Sequence, residues 1–115
     1  MIVATSYPDL LICYNEIISK ALSLLQPNRF ACFVVGDIRS PKGPYRNFVS
    51  DTIAVFGHAG AQLYNEAILI TAIGSLPIRV GKMFGAGRKL GKTHQNVLVF
   101  VKGDWREATR ACGEL

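Results

Sequence analysis

The chain reads as an α/β domain of 115 residues, three-layered, with a mixed sheet whose last strand is antiparallel. Three observations predict this. Helical and strand patterns follow one another in the order helix, strand, helix, strand, loop, strand, helix. Phe30–Gly36 is apolar without alternation, the pattern of a strand buried on both faces of a parallel sheet. The last two strands are joined by a segment with little helical pattern, whereas parallel neighbours need a helical crossover. The third strand is therefore expected to run antiparallel to the second.

The first helix opens at Ser6-Tyr7-Pro8-Asp9. Ser6 can cap, Pro8 suits the first turn and Asp9 stands three residues after the cap. Leu10, Tyr14, Ile17, Ala21 and Leu24 recur at helical spacing, with Leu11, Ile18 and Leu25 widening the stripe, and Pro27-Asn28 ends the helix near Gln26. The strand Phe30–Gly36 follows and ends at Gly36-Asp37. Ligands of open α/β sheets bind beyond the carboxyl ends of strands, so Asp37 is a candidate for ligand contact or, equally, for starting the next turn.

Residues 38–46 form a turn-rich connection with Pro41, Gly43 and Pro44. Asn47 is a candidate cap for a second helix with Phe48, Val49, Ile53, Phe56 and Ala59 on one face, and Gly60 stops it. Gln62–Thr71 reads as a strand with Leu63, Ala67 and Leu69 on one side and Tyr64, Ile68 and Ile70 on the other. Val97–Val101 is the third strand. Asp104-Trp105-Arg106-Glu107 repeats the capping pattern and opens a short last helix.

Between the second and third strands, residues 72–93 read as a long glycine-rich loop carrying Arg79, Lys82, Arg88, Lys89 and Lys92. No acid occurs between Glu66 and Asp104. With a net charge of +5, this uneven placement points to an anionic partner, above all nucleic acid. Ala86–Thr93 fits a relaxed phosphate-loop pattern, but a phosphate loop needs a helix after it, and here His94-Gln95-Asn96 and a strand follow. The glycines also lack dinucleotide-fingerprint spacing. Ser75 and His94 form no nucleophilic triad with an acid.

Cys13, Cys32 and Cys112 are far apart and odd in number, and no Cys-x-x-Cys pair occurs. Neither zinc nor a disulfide framework is expected, and the thiols are expected to be buried and reduced. No apolar run reaches membrane-spanning length, and Met1-Ile2-Val3-Ala4 lacks a signal pattern. The expected setting is cytoplasmic, away from membranes.

Several blocks resemble one family. Phe30–Arg39, Leu63–Thr71, Gly74-Ser75-Leu76-Pro77-Ile78-Arg79, and Arg88–Asp104 with its His-Gln-Asn-Val-Leu-Val-Phe-Val-Lys-Gly-Asp ending are similar to the distal part of phage-type DNA modification methylases. The likeness runs from about Tyr7 onward. It implies S-adenosylmethionine-dependent methylation of an exocyclic amine of adenine or cytosine on a Rossmann-like sheet. Phe30–Gly36 would be an inner strand, and Val97–Val101 would insert between it and the far strand Leu63–Ile70.

Such enzymes carry an Asp-Pro-Pro-Tyr type motif and a glycine-rich cofactor segment, and this sequence has neither. The resemblance thus implies a distal part, inactive alone, with the cofactor bound through the complete enzyme and an upstream catalytic segment or subunit as partner. No catalytic residue carries over. Gly36, Asp37, Ser75, His94 and Gln95 would lie near the base pocket, and Arg79, Lys82, Arg88, Lys89 and Lys92 near the DNA. The alternative function is a non-catalytic nucleic-acid-binding module. The edge of Phe30–Gly36 is expected to promote self-association.

Overall fold

A computed structural model describes residues 6–71 and 76–114, the side chains of 76–79 excepted. The elements are α1 (Tyr7–Leu24), β1 (Arg29–Val35), α2 (Phe48–His58), β2 (Gln62–Ile70), α3 (Leu76–Gly87), β3 (His94–Lys102) and α4 (Trp105–Cys112). The sheet order is β1-β3-β2, and β3 is antiparallel to both neighbours. The expected insertion of the last strand between its predecessors is therefore present.

One face of the sheet holds the main core. Ala31, Phe33 and Val35 of β1 stand beside Leu98 and Phe100 of β3 through the pairs Ala31–Phe100 and Phe33–Leu98. Ile18 and Leu22 from α1, and Val55 and Phe56 from α2, close over them. Phe56 stacks on Phe100 with ring centroids 3.8 Å apart, and Leu98 and Phe100 are fully buried. Burying a side chain of this size contributes about 1.5–3 kcal/mol.

The opposite face is covered at one end. Ala108 of α4 is fully buried, while Tyr64 stacks between Phe30 and Trp105. Beyond α4, Cys32 and Val34 are exposed. This corrects the expectation that β1 is buried on both faces of a parallel sheet: its exposure alternates, and it pairs with β3 antiparallel. Among the described residues β1 is an edge strand, not an inner one, and no third layer forms beyond α4. The thiols differ from expectation for the same reason. Cys32 lies on the open face, Cys112 ends an exposed helix, and both are exposed, with Cys13 half-buried. The radius of gyration, 17.1 Å, exceeds the roughly 13 Å of a compact chain of this length.

Local chemistry explains the other departures. Ser6 caps α1 as expected, its hydroxyl accepting from the Asp9 N–H at 3.3 Å. The buried stripe of α1 is Ile18 and Leu22 with Tyr14 and Leu25, whereas Ile17 is 60% and Leu24 86% exposed. The helix is apolar on several sides, so periodicity offers competing stripes and packing against α2 selects one. In β2, a register shift between Leu63 and Asn65 pairs Leu63 with Phe100 and Asn65 with Val99. Such a bulge reverses alternation, which moves Leu63 to the side of Ile68 and Ile70.

The largest correction is α3. Residues 76–87 are helical, not loop. Leu76, Val80, Met83, Phe84 and Gly87 recur at helical spacing, which outweighs the low propensity of Gly81 and Gly85. The described helices include none long and apolar enough to cross a membrane.

A lock joins the chain end of β3 to the start of β1. Asn28, at φ +60°, donates its N–H to Lys102 O at 2.7 Å, and its side-chain oxygen accepts the Asp104 N–H at 2.8 Å. Gly103 has φ +96°; a Cβ there would overlap Asn28 Oδ1 and lie 3.0 Å from Asn28 N. Gly60 has a similar φ of +99° but open space around it. Both Gly→Ala changes strain the backbone, by about 1–3 kcal/mol. Gly103→Ala is expected to lower the urea unfolding midpoint clearly more than Gly60→Ala, since it alone also breaks the lock. Equal losses would show that the Asn28 contact adds nothing.

Candidate nucleic-acid interface

Three chain segments meet at the carboxyl end of β1. Gly36-Asp37 leaves the strand there, Lys92 arrives from the segment after α3, and His94-Gln95 starts β3 beside it. Together with Tyr14, Phe33 and Phe48 they line a cavity of about 560 Å³. A Cβ on Gly36 would lie 3.4 Å from Lys92 Nζ and 3.8 Å from Gln95 Cγ, ordinary contact distances, so both side chains lie directly beside Gly36. The structure thus brings Gly36, Asp37, His94, Gln95 and Lys92 together. Ser75 lies outside the described residues. The β2–β3 closure beside the cavity is tied by Thr71, whose N–H and hydroxyl both donate to Thr93 O, at 2.7 and 2.9 Å.

Asp37 has a structural role. Its carboxylate accepts the Val49 N–H at 3.0 Å, in the first turn of α2. Asn47, the expected cap, sits at φ 56° and makes no side-chain cap hydrogen bond. The cap therefore comes from the end of β1, ten residues upstream of Asn47, and an acid at a helix N-terminus also opposes the helix dipole favourably.

The aromatic wall of the cavity was not legible as a site. Tyr14 lies between Phe48 and Phe33, with centroids 5.3 and 6.0 Å away, and its hydroxyl is 3.3 Å from Thr52 Oγ1. Burial pushes the Tyr14 phenol up from its ordinary pKa, and the Thr52 hydrogen bond partly offsets this. Tyr7 OH donates to Asp51 Oδ2 at 2.6 Å, while the Arg46 guanidinium stands 4.9 Å from the Tyr7 ring. Burial, then the bond to the Asp51 carboxylate, hold the Tyr7 phenol well above its usual range. Both tyrosines are thus neutral hydrogen-bonding groups at physiological pH.

The basic residues divide. Arg79 and Lys82 belong to α3, with the Arg79 side chain outside the described residues and Lys82 exposed. Arg88, at φ 56°, leaves the helix with its guanidinium 5.3 Å from the Phe84 ring and donating to Phe84 O. Lys89 is half-buried and, with Lys82, Met83 and Gly87, borders a second hollow. Lys92 is half-buried at the main cavity. Gly85 and Gly87 lie in the C-terminal half of α3 and Gly91 in the segment leading into β3, so these glycines lead into a strand and not into a helix N-terminus.

These residues do not fit S-adenosylmethionine. No glycine-rich turn joins a strand to a helix N-terminus among the described residues, and the one carboxylate lining the cavity, Asp37, is bonded to the α2 backbone. No step through that cofactor follows from this chain.

No protein-family model matches the chain, and no curated protein matches it in sequence. It is similar in fold to a crystal structure provisionally described as a DNA modification methylase, from Thermus thermophilus. The TM-score is 0.64 at 16% identity, over 85% of this chain and 38% of that one. The chain thus spans well under half the length of the protein it resembles.

Removing the cap should separate the two readings of Asp37. Asp37→Ala is expected to destabilise the chain by about 0.5–2 kcal/mol in urea unfolding, with Asp37→Asn retaining most of the stability because its amide oxygen still accepts. An unchanged Asp37→Ala midpoint would assign the carboxylate to ligand contact instead.

Proposed function

We propose that this chain is the DNA-facing part of a DNA modification methyltransferase, non-catalytic by itself. It works with a complementary segment or subunit that carries the Asp-Pro-Pro-Tyr type motif and the S-adenosylmethionine site. The observation that carries this reading is the convergence of Lys92, His94 and Gln95 on the cavity at the end of β1, beside an acid-free basic segment. The fold likeness to a protein described as a DNA modification methylase supports the same reading. The complementary part would pack on the open face of the sheet and along the free edge of β1, where unpaired backbone groups otherwise invite self-association. The completed enzyme would transfer a methyl group to an exocyclic amine of adenine or cytosine.

A non-catalytic nucleic-acid-binding module remains the second reading, favoured by the commitment of Asp37 to α2. Calorimetry separates the two: S-adenosylmethionine binds once the complementary part is present under the first reading, and under no condition under the second.

Both readings require the basic segment to meet phosphates. Changing Arg88, Lys89 and Lys92 together to Ala should weaken duplex binding similarly across unrelated sequences, since phosphate contacts position a protein without reading bases. The slope of log affinity against log salt should become shallower by about 0.9 for each phosphate that is no longer neutralised. Unchanged affinity and slope in fluorescence anisotropy would remove this segment from the interface.

A further inference from the structure

The connection between β1 and α2 is a built turn. Arg39 and Tyr45 form an antiparallel bridge, Arg46 N–H donates to Ile38 O at 2.7 Å, and Ser40 N–H donates to Pro44 O at 2.8 Å. Gly43 N–H returns to Ser40 O at 3.0 Å, and Gly43 supplies the φ of +111° that the reversal needs. A side-chain brace adds to these: Arg39 donates to Gly43 O at 3.1 Å. The turn's geometry is therefore set before any ligand arrives.

This turn presents an aromatic ring among cations. Tyr45 is 48% exposed. The Arg39 guanidinium lies 4.3 Å from its ring centroid and Lys92 Nζ 5.9 Å from it. Lys42 and Arg46 flank it in the sequence. Facing the turn, Val80 and Met83 of α3 with Leu90 complete a cleft of about 310 Å³. That is near the lower end of small-molecule sites, enough for a single small planar group. The walls are apolar, one side is an exposed ring, and the rim is cationic. Asp37 also borders the cleft, with Oδ1 engaged by Val49 N–H. Lys92 lines both this cleft and the main cavity, so the two adjoin.

We propose that the cleft between the 38–46 turn and α3 takes one unpaired nucleotide of a DNA strand. Its base lies against Tyr45, and its flanking phosphates meet Lys92 and the cations of the turn. Aromatic rings hold single-stranded bases by stacking, which tolerates any sequence, while lysine and arginine follow the backbone. The inference rests on the DNA-facing reading above and adds to it a preference for unpaired strand at a place separate from the main cavity.

The test compares fluorescence anisotropy of oligothymidine and of a duplex on the full chain and its variants. Tyr45→Ala is expected to lose about 5- to 150-fold in oligothymidine affinity, the range for one stacked base. Its duplex affinity should stay at the parent value, because paired bases are not free to stack on the ring. Tyr45→Phe should bind as the parent does. Tyr45→Leu keeps apolar bulk without the ring and should lose oligothymidine affinity like Tyr45→Ala; circular dichroism checks that each variant folds. Undiminished oligothymidine binding by both ring-less variants overturns the inference, as does an equal loss on duplex and single strand. In either case the DNA-facing reading stands if the Arg88, Lys89 and Lys92 triple variant still loses duplex affinity. Tighter binding of oligouridine than of oligothymidine would assign the cleft to RNA and overturn the commitment to DNA. If the parent chain binds neither DNA form at low salt, the DNA-facing reading fails and the inference with it.

Discussion

The sheet and the core packed on it are registered against β3. It is the middle strand, hydrogen-bonded on both sides, and its fully buried Leu98 and Phe100 anchor the core. A one-residue slip would turn Leu98 and Phe100 away from α1 and α2 and bring Val97 and Val99 in, so the hydrophobic pattern holds the register tightly. The two ends of the strand then do different work. At one end, His94 and Gln95 stand opposite Ile70 and Leu69 of β2 and border the cavity. At the other, Lys102 Nζ donates to Leu22 O at the last turn of α1 and, at 2.6 Å, to Leu25 O. A lysine there satisfies carbonyls that the helix leaves unpaired and lies favourably at the negative end of its dipole. Core packing, α1 and the candidate interface are thus set by one strand.

The arrangement also gives the acids near the cavity partners within the chain. Asp37 stands where a ligand-contacting acid was a fair expectation, yet its oxygen is spent on the first turn of α2. Asp51 is bonded by Tyr7, and Glu107 pairs with Arg110 on the far helix α4. The acids nearest the cavity are therefore engaged with the protein itself, and among the described residues no acid forms an ion pair with Lys92 or Arg39. A surface of this kind favours phosphates through long-range attraction that added salt weakens.

How much of this was legible in the sequence depends on the kind of signal. Both capping positions, Ser6 on α1 and Asp104 on α4, and the order of elements apart from α3 were readable from the residues, while the insertion of the last strand was implied by the family resemblance. The caps rest on local chemistry. The antiparallel run of β3 beside β2 is present, but the helix-free connection from which it was expected is not, because α3 lies in it. Helix α3 was hidden because Gly81, Gly85 and Gly87 are turn residues by composition, while its apolar spacing shows only when the glycines are set aside. The buried stripe of α1 was hidden by an excess of candidates, since Ile17 and Ile18 both fit helical periods. The bulge at Leu63–Asn65 leaves no compositional mark. Lys92 was marked by its charge, and His94 and Gln95 by the family resemblance alone; the structure brings the three together at one cavity. The contact of Arg39 with Tyr45 was not legible, because it depends on a turn whose hydrogen bonds join residues that propensity treats singly.

The most direct test of the central claim, that the carboxyl end of β1 and the segment leading into β3 face DNA, is hydrogen exchange of the whole chain with and without saturating duplex. The account predicts slowed exchange in residues 38–46 and 88–95 and no change in Trp105–Cys112, which lies over the other end of the sheet. Protection confined to α4, or none in either predicted segment while DNA is bound, would contradict it.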